Sequence, residues 1–395
     1  MIEKDGNMRV LHIFSSPHLT HGASIFEYRI SGLLKKDGIF FDYLVTERET
    51  EEEAARYKEQ GSRIYHLKID NAHGLFMREL KANRAYYRFF KEHKKQFKIV
   101  YADTENSLRA VHLLMARIAG IPVRVVHSHN NNLQTQSSFS RRFSRIIRKI
   151  FRISATDYFA CSDVAAEWLF PRKIYRKKQY RLINNGIDTE LFAFNGEYRE
   201  EIRDMLGIAG GTLVVGAVAR FMEQKNHMFM LDIMHKALEY NPDMVLLLIG
   251  EGKLEDQVKE RAAGLGIGSR VIFAGTSPYV YKYLSAMDVY LMPSLFEGLG
   301  IAALEAQANG LACLVSENVP KEVKMCGSVV FKSLDEGVDE WAKELIRLSK
   351  LRSGGEQARA NMTDKGYAVE HTADILRKFY KSKEKLYAED YNGNR

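Results

Sequence analysis

Two glutamates, Glu297 and Glu305, stand eight positions apart in the stretch SLFEGLGIAALEAQANG, with Gly298, Leu299 and Gly300 directly after the first and alanines around the second. An ionised carboxylate only accepts hydrogen bonds, so it suits hydroxyl groups and not phosphates. A helix beginning at Ile301 would turn its unpaired N–H groups and the positive end of its dipole toward the glycine turn, which makes that turn a place for an anion. Glu305 lies five residues into such a helix, about 7.5 Å along its axis. A sugar joined through diphosphate to a nucleoside presents hydroxyls, then negative charge, then ribose hydroxyls, matching carboxylate, amides, carboxylate. Taken alone, the same two glutamates read as a loop acid and a solvated helix residue.

A second cluster carries the opposite charge. The stretch ARFMEQKN places Arg220 and Lys225 after an apolar run, where cations could balance a diphosphate. In isolation they read as surface charges.

These residues need rigid elements beneath them, and the chain supplies a repeating pattern. Short β-branched runs, RVLHIFS, FFDYLV, KIVYAD and VRVVHSH, alternate with amphipathic segments; the series restarts after residue 190 with TLVVGAVAR, MVLLLIGEG, RVIFAG, DVYLMPS and LACLVSE. Such alternation implies βαβ units and parallel sheets, and the apolar character of the later runs implies sheets covered on both faces. The fold class expected is α/β, with two doubly wound Rossmann-like domains facing across a cleft. Asn185 and Gly186 in RLINNGIDTELF mark a turn between them. The expected division is 1–188, 189–366, and a C-terminal helix over 367–395 that returns toward the first domain. Ligands of such sheets bind beyond the carboxyl ends of the strands, where both charged clusters fall.

Composition agrees with an ordinary globular enzyme: 395 residues, 46% apolar and 27% charged, a length beyond the roughly 250–300 at which a single core stops growing. Three cysteines, Cys161, Cys313 and Cys326, have no metal-ligand spacing and suggest no disulfide framework. The first residues carry Glu3 and Asp5 and no apolar run of signal-peptide length, so a cytoplasmic location is expected. The net charge of +8 is concentrated: 141–181 holds twelve Arg and Lys against Asp157, Asp163 and Glu167. Within it, Phe143, Ile146, Ile147 and Ile150 recur at helical spacing, with Arg145, Arg148, Lys149 and Arg152 around the other side. Over 141–152 this suits an interfacial helix on an anionic membrane, or a solvated helix packed on its own sheet. No nucleic-acid-binding motif accompanies the charge, so nucleic acid is not an expected partner.

Arg220 and Lys225, LLLIGEGKLEDQ, RVIFAG and the glutamates of EGLGIAALE occur in the order seen in family 4 glycosyltransferases, which the chain resembles over most of its length. HGAS near residue 22, HSHN at 127–130, ACS at 160–162 and NNGID at 184–188 add to the likeness. It is most similar to bacterial transferases that build exopolysaccharide or capsule. The resemblance implies the two-domain GT-B fold, with an acceptor-side first domain and a nucleotide-sugar-binding second. It implies a nucleotide-diphosphate sugar as donor, on family grounds a UDP-sugar, with transfer at retained anomeric configuration, no cofactor and no bound metal. It implies a glycan or polyprenyl-diphosphate-linked acceptor. By that likeness Glu297 holds the donor sugar, Glu305 the ribose, Arg220 and Lys225 the diphosphate, and Gly298, Leu299 and Gly300 form the turn beside it. The family's glycine turn after strand one and its histidine at a later strand end map onto Gly22 and His129, with His127 as a rival on the same strand face.

A sugar-nucleotide epimerase of similar fold, or a silent sugar-nucleotide-binding protein, would share the architecture. A dinucleotide-linked dehydrogenase is disfavoured because SSPHLTHGAS stands where G-x-G-x-x-G would follow the first strand.

Overall fold

The computed structural model describes residues 7–14, 17–19, 22–69, 75–104, 109–128 and 148–386. The chain forms two compact units, Met1–Asn185 with Glu370–Arg395, and Gly186–Val369.

The first unit is built on β1 (Met8–Ile13), β2 (Ile39–Val45), β3 (Ile64–His66), β4 (Ile99–Thr104), β5 (Val123–Ser128), β6 (Asp157–Ala160) and β7 (Arg181–Leu182). They form one sheet in the order β3-β2-β1-β4-β5-β6-β7, with every neighbouring pair parallel. The second unit carries β8 (Leu213–Val218), β9 (Met244–Ile249), β10 (Val271–Phe273), β11 (Val289–Met292), β12 (Ala312–Ser316) and β13 (Val329–Lys332), in the order β10-β9-β8-β11-β12-β13 and again all parallel. Each sheet winds outward in one direction for three strands and then restarts on the other side of its first strand. This is the doubly wound arrangement expected from the alternation of apolar runs.

Strand periodicity explains why both faces are covered. Successive side chains point to opposite faces. In the second unit Leu247, Ile249, Tyr290, Met292, Cys313 and Val315 join one buried cluster, while Leu246, Leu248, Val289, Leu291, Ala312 and Leu314 join another. Trp341, from the helix Val338–Ser349, fills the second, and Ala303 and Leu304, from the helix Ile301–Ala308, fill the first. Gly216 in β8 is set by the same packing, since a Cβ there would meet the Met287 sulfur at 2.0 Å.

The first unit buries charge as well as apolar surface. Arg9 in β1 pairs with Asp42 in β2 at 2.6 Å, and the Arg63 amide donates to the same carboxylate at 2.9 Å. His12 is wedged between the rings of Phe41 and Tyr101, with centroids 4.0 and 4.5 Å away, and its Nδ1 lies 3.1 Å from Glu27. Thr50 and Glu53 form a reciprocal capping box at the start of the helix Glu51–Glu59. Glu53 also accepts from the Leu19 amide at 2.8 Å and contacts His18 at 3.0 Å, which ties residues 18–19 to that helix. The helix Val369–Lys381 brings Arg377 to Asp37 at 2.6 Å and Tyr380 edge-on to Phe41. No described helix is long and apolar enough to cross a membrane.

Asp42 generates a pH prediction. Burial pushes its carboxyl up to about 6, outweighing the Arg9 guanidinium and the Arg63 amide that pull it down. A carboxyl raised in the folded state above its unfolded value of about 4 contributes stability below that value. The contribution is lost as the pH rises through the folded value. In denaturant unfolding, the wild type loses stability relative to Asp42→Asn between about pH 4 and pH 6. Parallel pH curves for the two proteins would show that Asp42 titrates alike in both states.

Candidate active site

β8 and β11 are neighbours in the second sheet, with Val215 opposite Val289 and Gly216 opposite Tyr290. Chain direction diverges there, since β8 is followed outward by β9 and β11 by β12. Loops leaving the carboxyl ends of such a pair part and leave room for a ligand. The loop after β8 carries Arg220, Gln224 and Lys225; the loop after β11 carries Ser294 and Glu297.

Backbone and side-chain hydrogen bonds bind these two loops together. The Leu295 amide donates to the Gln224 carbonyl at 2.8 Å, and the Gln224 side chain donates to the Phe296 carbonyl at 3.0 Å. Asn226, held in the left-handed region at φ 56°, donates from its side chain to the Pro293 carbonyl at 3.1 Å. From the end of β12, the Ser316 hydroxyl donates to the Ser294 carbonyl at 2.6 Å. The turn over 293–297 is therefore fixed from both neighbouring strands, and its donors are residues to which the sequence alone attached no role.

Glu297 is the focus of this network. Its Oε1 receives the Lys225 ammonium at 2.6 Å and the Ser294 hydroxyl at 2.7 Å. The Glu297 side chain is only 6% exposed, so the ion pair is partly removed from water. The structure thus joins two sequence-predicted residues, Lys225 and Glu297, that were assigned to different parts of a ligand. Arg220 lies exposed in the same loop, beside a buried Phe221 that stacks on His227 at 4.5 Å. Burial, helped by the nearby Lys225 charge, lowers His227 to about 4 and keeps it neutral.

The helix Ile301–Ala308 begins where expected. Gly300 is its N-cap at φ 89°, and no side chain caps the helix start. A Cβ at Gly300 would come within 3.2 Å of Val319, so the turn requires glycine there for backbone and packing reasons. Gly298 is exposed and Leu299 half-buried. Glu305 is half-buried one turn into the helix. Tyr290, in β11, is fully buried, and its hydroxyl lies 3.3 Å from the Val218 carbonyl and donates to it. Burial raises the Tyr290 phenol well above its ordinary value, opposed by its hydrogen bond to the Val218 backbone, and the Glu305 and Glu297 carboxylates add to the rise.

The GEG of LLLIGEGKLEDQ has a structural meaning. The Phe221 amide donates to the Glu251 carbonyl at 3.0 Å, and the Leu254 amide to the Phe221 carbonyl at 3.1 Å. A Cβ at Gly250 would lie 2.1 Å from the Ala219 carbonyl oxygen, and one at Gly252 2.5 Å from that of Phe221. Both glycines permit the β9 loop to brace the backbone that carries Arg220.

In the first unit, Gly22 opens the helix Gly22–Lys35. His129 lies outside the described residues. Its rival His127 is fully buried at the end of β5, with Nδ1 2.6 Å from the Tyr101 hydroxyl and 3.8 Å from Asp103, so it belongs to the core. Residues 141–147 of the basic segment are outside the described residues. Over 148–154 the chain is helical and buries Phe151. Arg148, read from the sequence as part of the charged outer side, is instead turned inward, donating to the Trp168 carbonyl at 3.1 and 2.6 Å. Lys149 and Arg152 are exposed. Among the described residues, one group could hold a metal ion: His12, Glu27 and Asp103, with ligand atoms within 4.8 Å of one another, all buried in the first unit.

Two doubly wound parallel sheets, with an acid-bearing glycine turn at the switch point of the second, define the GT-B class. Residues 20–191 match the model of Glycosyltransferase Family 4, and residues 198–369 that of Glycosyl transferases group 1. "Putative glycosyltransferase EpsF" of Bacillus subtilis (strain 168) is 32% identical over 381 residues, covering 94% of this chain and 96% of that protein. The "UDP-Gal:alpha-D-GlcNAc-diphosphoundecaprenol alpha-1,3-galactosyltransferase" of Escherichia coli is 27% identical over 247 residues, covering 61% of this chain and 62% of that one. Among solved structures, Anabaena Alr3699/HepE in complex with UDP and glucose superposes with a TM-score of 0.73 at 16% identity, over 95% of this chain and all of that one. WaaG, a glycosyltransferase involved in lipopolysaccharide biosynthesis, gives 0.70 at 18% identity, over 93% of this chain and 99% of that one. The chain belongs to the family 4 glycosyltransferases and is an enzyme of that family; neither an epimerase nor a silent binding protein is favoured.

The glycine contacts give a stability test. Gly252→Ala forces its Cβ against the Phe221 backbone and costs about 1–3 kcal/mol as an overpacking change. Thermal unfolding reads it as a lowered midpoint, and an unchanged midpoint would show that the β9 loop relaxes freely away from Phe221.

Proposed function

We propose that this enzyme transfers a sugar from a UDP-sugar to a glycan or polyprenyl-diphosphate-linked acceptor in polysaccharide synthesis, with retention at the anomeric carbon. The observation that carries the donor half is the Lys225–Glu297 pair beside an uncapped helix start at the β8/β11 switch point. A cation, open amides and two carboxylates together suit a diphosphate flanked by hydroxyls. UDP in the complex with HepE and the diphosphoundecaprenol acceptor named for the Escherichia coli relative support the choice of nucleotide and acceptor class. Relatives of this chain named for Vi polysaccharide biosynthesis and for lipopolysaccharide core biosynthesis support the pathway class.

In this mechanism the acceptor hydroxyl attacks the anomeric carbon on the face from which the diphosphate departs. The bond from that carbon to the acceptor oxygen forms as the bond to the phosphate oxygen breaks, and the departing phosphate oxygen takes the acceptor proton. No protein nucleophile and no cofactor is used. Arg220, Lys225 and the amides at Gly298 to Ile301 stabilise charge growing on the leaving diphosphate, the type of preorganised electrostatics whose loss costs about 10²–10³ in rate per donor. Glu297 accepts from hydroxyls of the transferred sugar, and Glu305 from the ribose. His129 and Gly22 are the further site candidates that the family likeness supplies. The basic surface around Lys149 and Arg152 holds the enzyme at the cytoplasmic face of an anionic membrane, each such cation adding about 1 kcal/mol.

Glu305→Ala weakens UDP binding by about 1–3 kcal/mol through the lost bond to ribose, measured by calorimetry; unchanged affinity removes Glu305 from the site. Glu297→Gln behaves differently, lowering turnover of the UDP-sugar far more than affinity for UDP, which lacks the sugar. Identical behaviour of the two variants would mean that the carboxylates are assigned to the wrong ends of the donor.

Reversing Arg145, Lys149 and Arg152 to Glu abolishes sedimentation with phosphatidylserine vesicles and leaves UDP binding intact. Added salt weakens the wild-type interaction, because the attraction is screened over about 8–10 Å. Sedimentation alike in wild type and variant, or absent in both, removes the membrane contact.

A further inference from the structure

Oε1 of Glu297 holds two donors of different kinds. Lys225 reaches it at 2.6 Å from the β8 loop, on a long flexible stem that is partly exposed. Ser294 reaches it at 2.7 Å from within the same turn, and Ser294 is fully buried. The backbone around Ser294 cannot easily shift: its own carbonyl is held by Ser316, the carbonyl before it by Asn226, and the amide after it by the Gln224 carbonyl. A diphosphate arriving beside the turn competes for the ammonium of Lys225, since a cation is drawn toward the larger negative charge. It has no comparable hold on a buried neutral hydroxyl.

We propose that Ser294 is the positioning residue for Glu297: its buried hydroxyl keeps the carboxylate in place when Lys225 turns from Glu297 to the diphosphate of the donor. This rests on the assignment of the donor site above. A glutamate has three side-chain torsions, and ordering a long side chain costs free energy that a fixed partner supplies in advance. Without Ser294, Glu297 is well held only while the site is empty, by the very lysine that the donor removes. The remaining contact, from Gln224 to Oε2, is long at 3.4 Å. The function of Ser294 is therefore invisible to bare nucleotide and appears only when a sugar must be oriented.

The test compares wild type with Ser294→Ala, Ser294→Thr and Ser294→Cys in the full chain. UDP affinity is measured by calorimetry, and UDP release is followed from UDP-glucose, UDP-galactose and UDP-N-acetylglucosamine at saturating donor. Ser294→Ala retains UDP affinity within about twofold and loses about tenfold or more in turnover, as for a hydrogen bond to a charged group. Ser294→Thr, which restores a hydroxyl, recovers most of that turnover. Ser294→Cys, nearly isosteric with a weak donor, repeats the split and covers the case in which the alanine variant does not fold. Wild-type turnover in both the alanine and cysteine variants overturns the proposal. Parallel loss of UDP affinity and turnover also overturns it, since that marks Ser294 as a prop of the whole turn. A wild type that neither binds UDP nor releases it from any of the three sugars refutes the donor assignment itself, and the role of Ser294 falls with it.

Discussion

The adjacency of β8 and β11 is the constraint on which the site depends. Lys225 and Glu297 are 72 positions apart in the chain and meet at 2.6 Å only because those two strands pair. Their meeting is not a free gain in stability. Partly desolvating an ion pair costs solvation that the mutual attraction offsets only when geometry and further hydrogen bonds are good. Here Ser294 and Gln224 supply the further bonds. A pair so arranged can be exchanged for a ligand of greater charge, as the proposed diphosphate donor would require.

The rest of the second unit serves to hold that edge of the sheet still. Both faces are packed by alternating side chains of the same strands, so the strand ends cannot shift independently. The loops then brace one another in order across the edge: β9 against β8 through Gly250 and Gly252, β8 against β11 through Gln224 and Asn226, and β11 against β12 through Ser316. Loops are the usual carriers of chemistry, and these have their backbone groups satisfied by neighbours.

The first unit uses its buried polar groups differently. Arg9–Asp42, His12–Glu27 and the Tyr101–His127 hydrogen bond lie within or directly against its central strands. They cross-link β1, β2, β4, β5 and the helix Gly22–Lys35. Removing one partner of such a buried pair leaves the other uncompensated and is strongly destabilising. His127 illustrates the consequence: a histidine at a strand end, chemically suited to a site, is occupied in holding the sheet.

Much of this was legible in the sequence. Apolar runs of five or six residues separated by amphipathic segments determine parallel sheets with covered faces, because periodicity is a local property of the chain. The long central strands and the helix opening after Gly300 follow from it, as does the pairing of acid and glycine in the turn. β10 and β11, of three and four residues, were legible because RVIFAG and DVYLMPS extend the apolar run beyond the strand itself, whereas β3, β6, β7 and β13, of two to four residues, were not read from the sequence; each pairs with the edge of a longer neighbour. Arg148 was legible as a charge and not as a donor to the Trp168 carbonyl, since nothing in the spacing of RRFSRIIRKI distinguishes an inward arginine from an outward one. The partners of Glu297 were hidden for the same reason. Residue type and local spacing determine what a side chain can do, but strand order decides which distant side chain it meets, and strand order is a property of the assembled sheet.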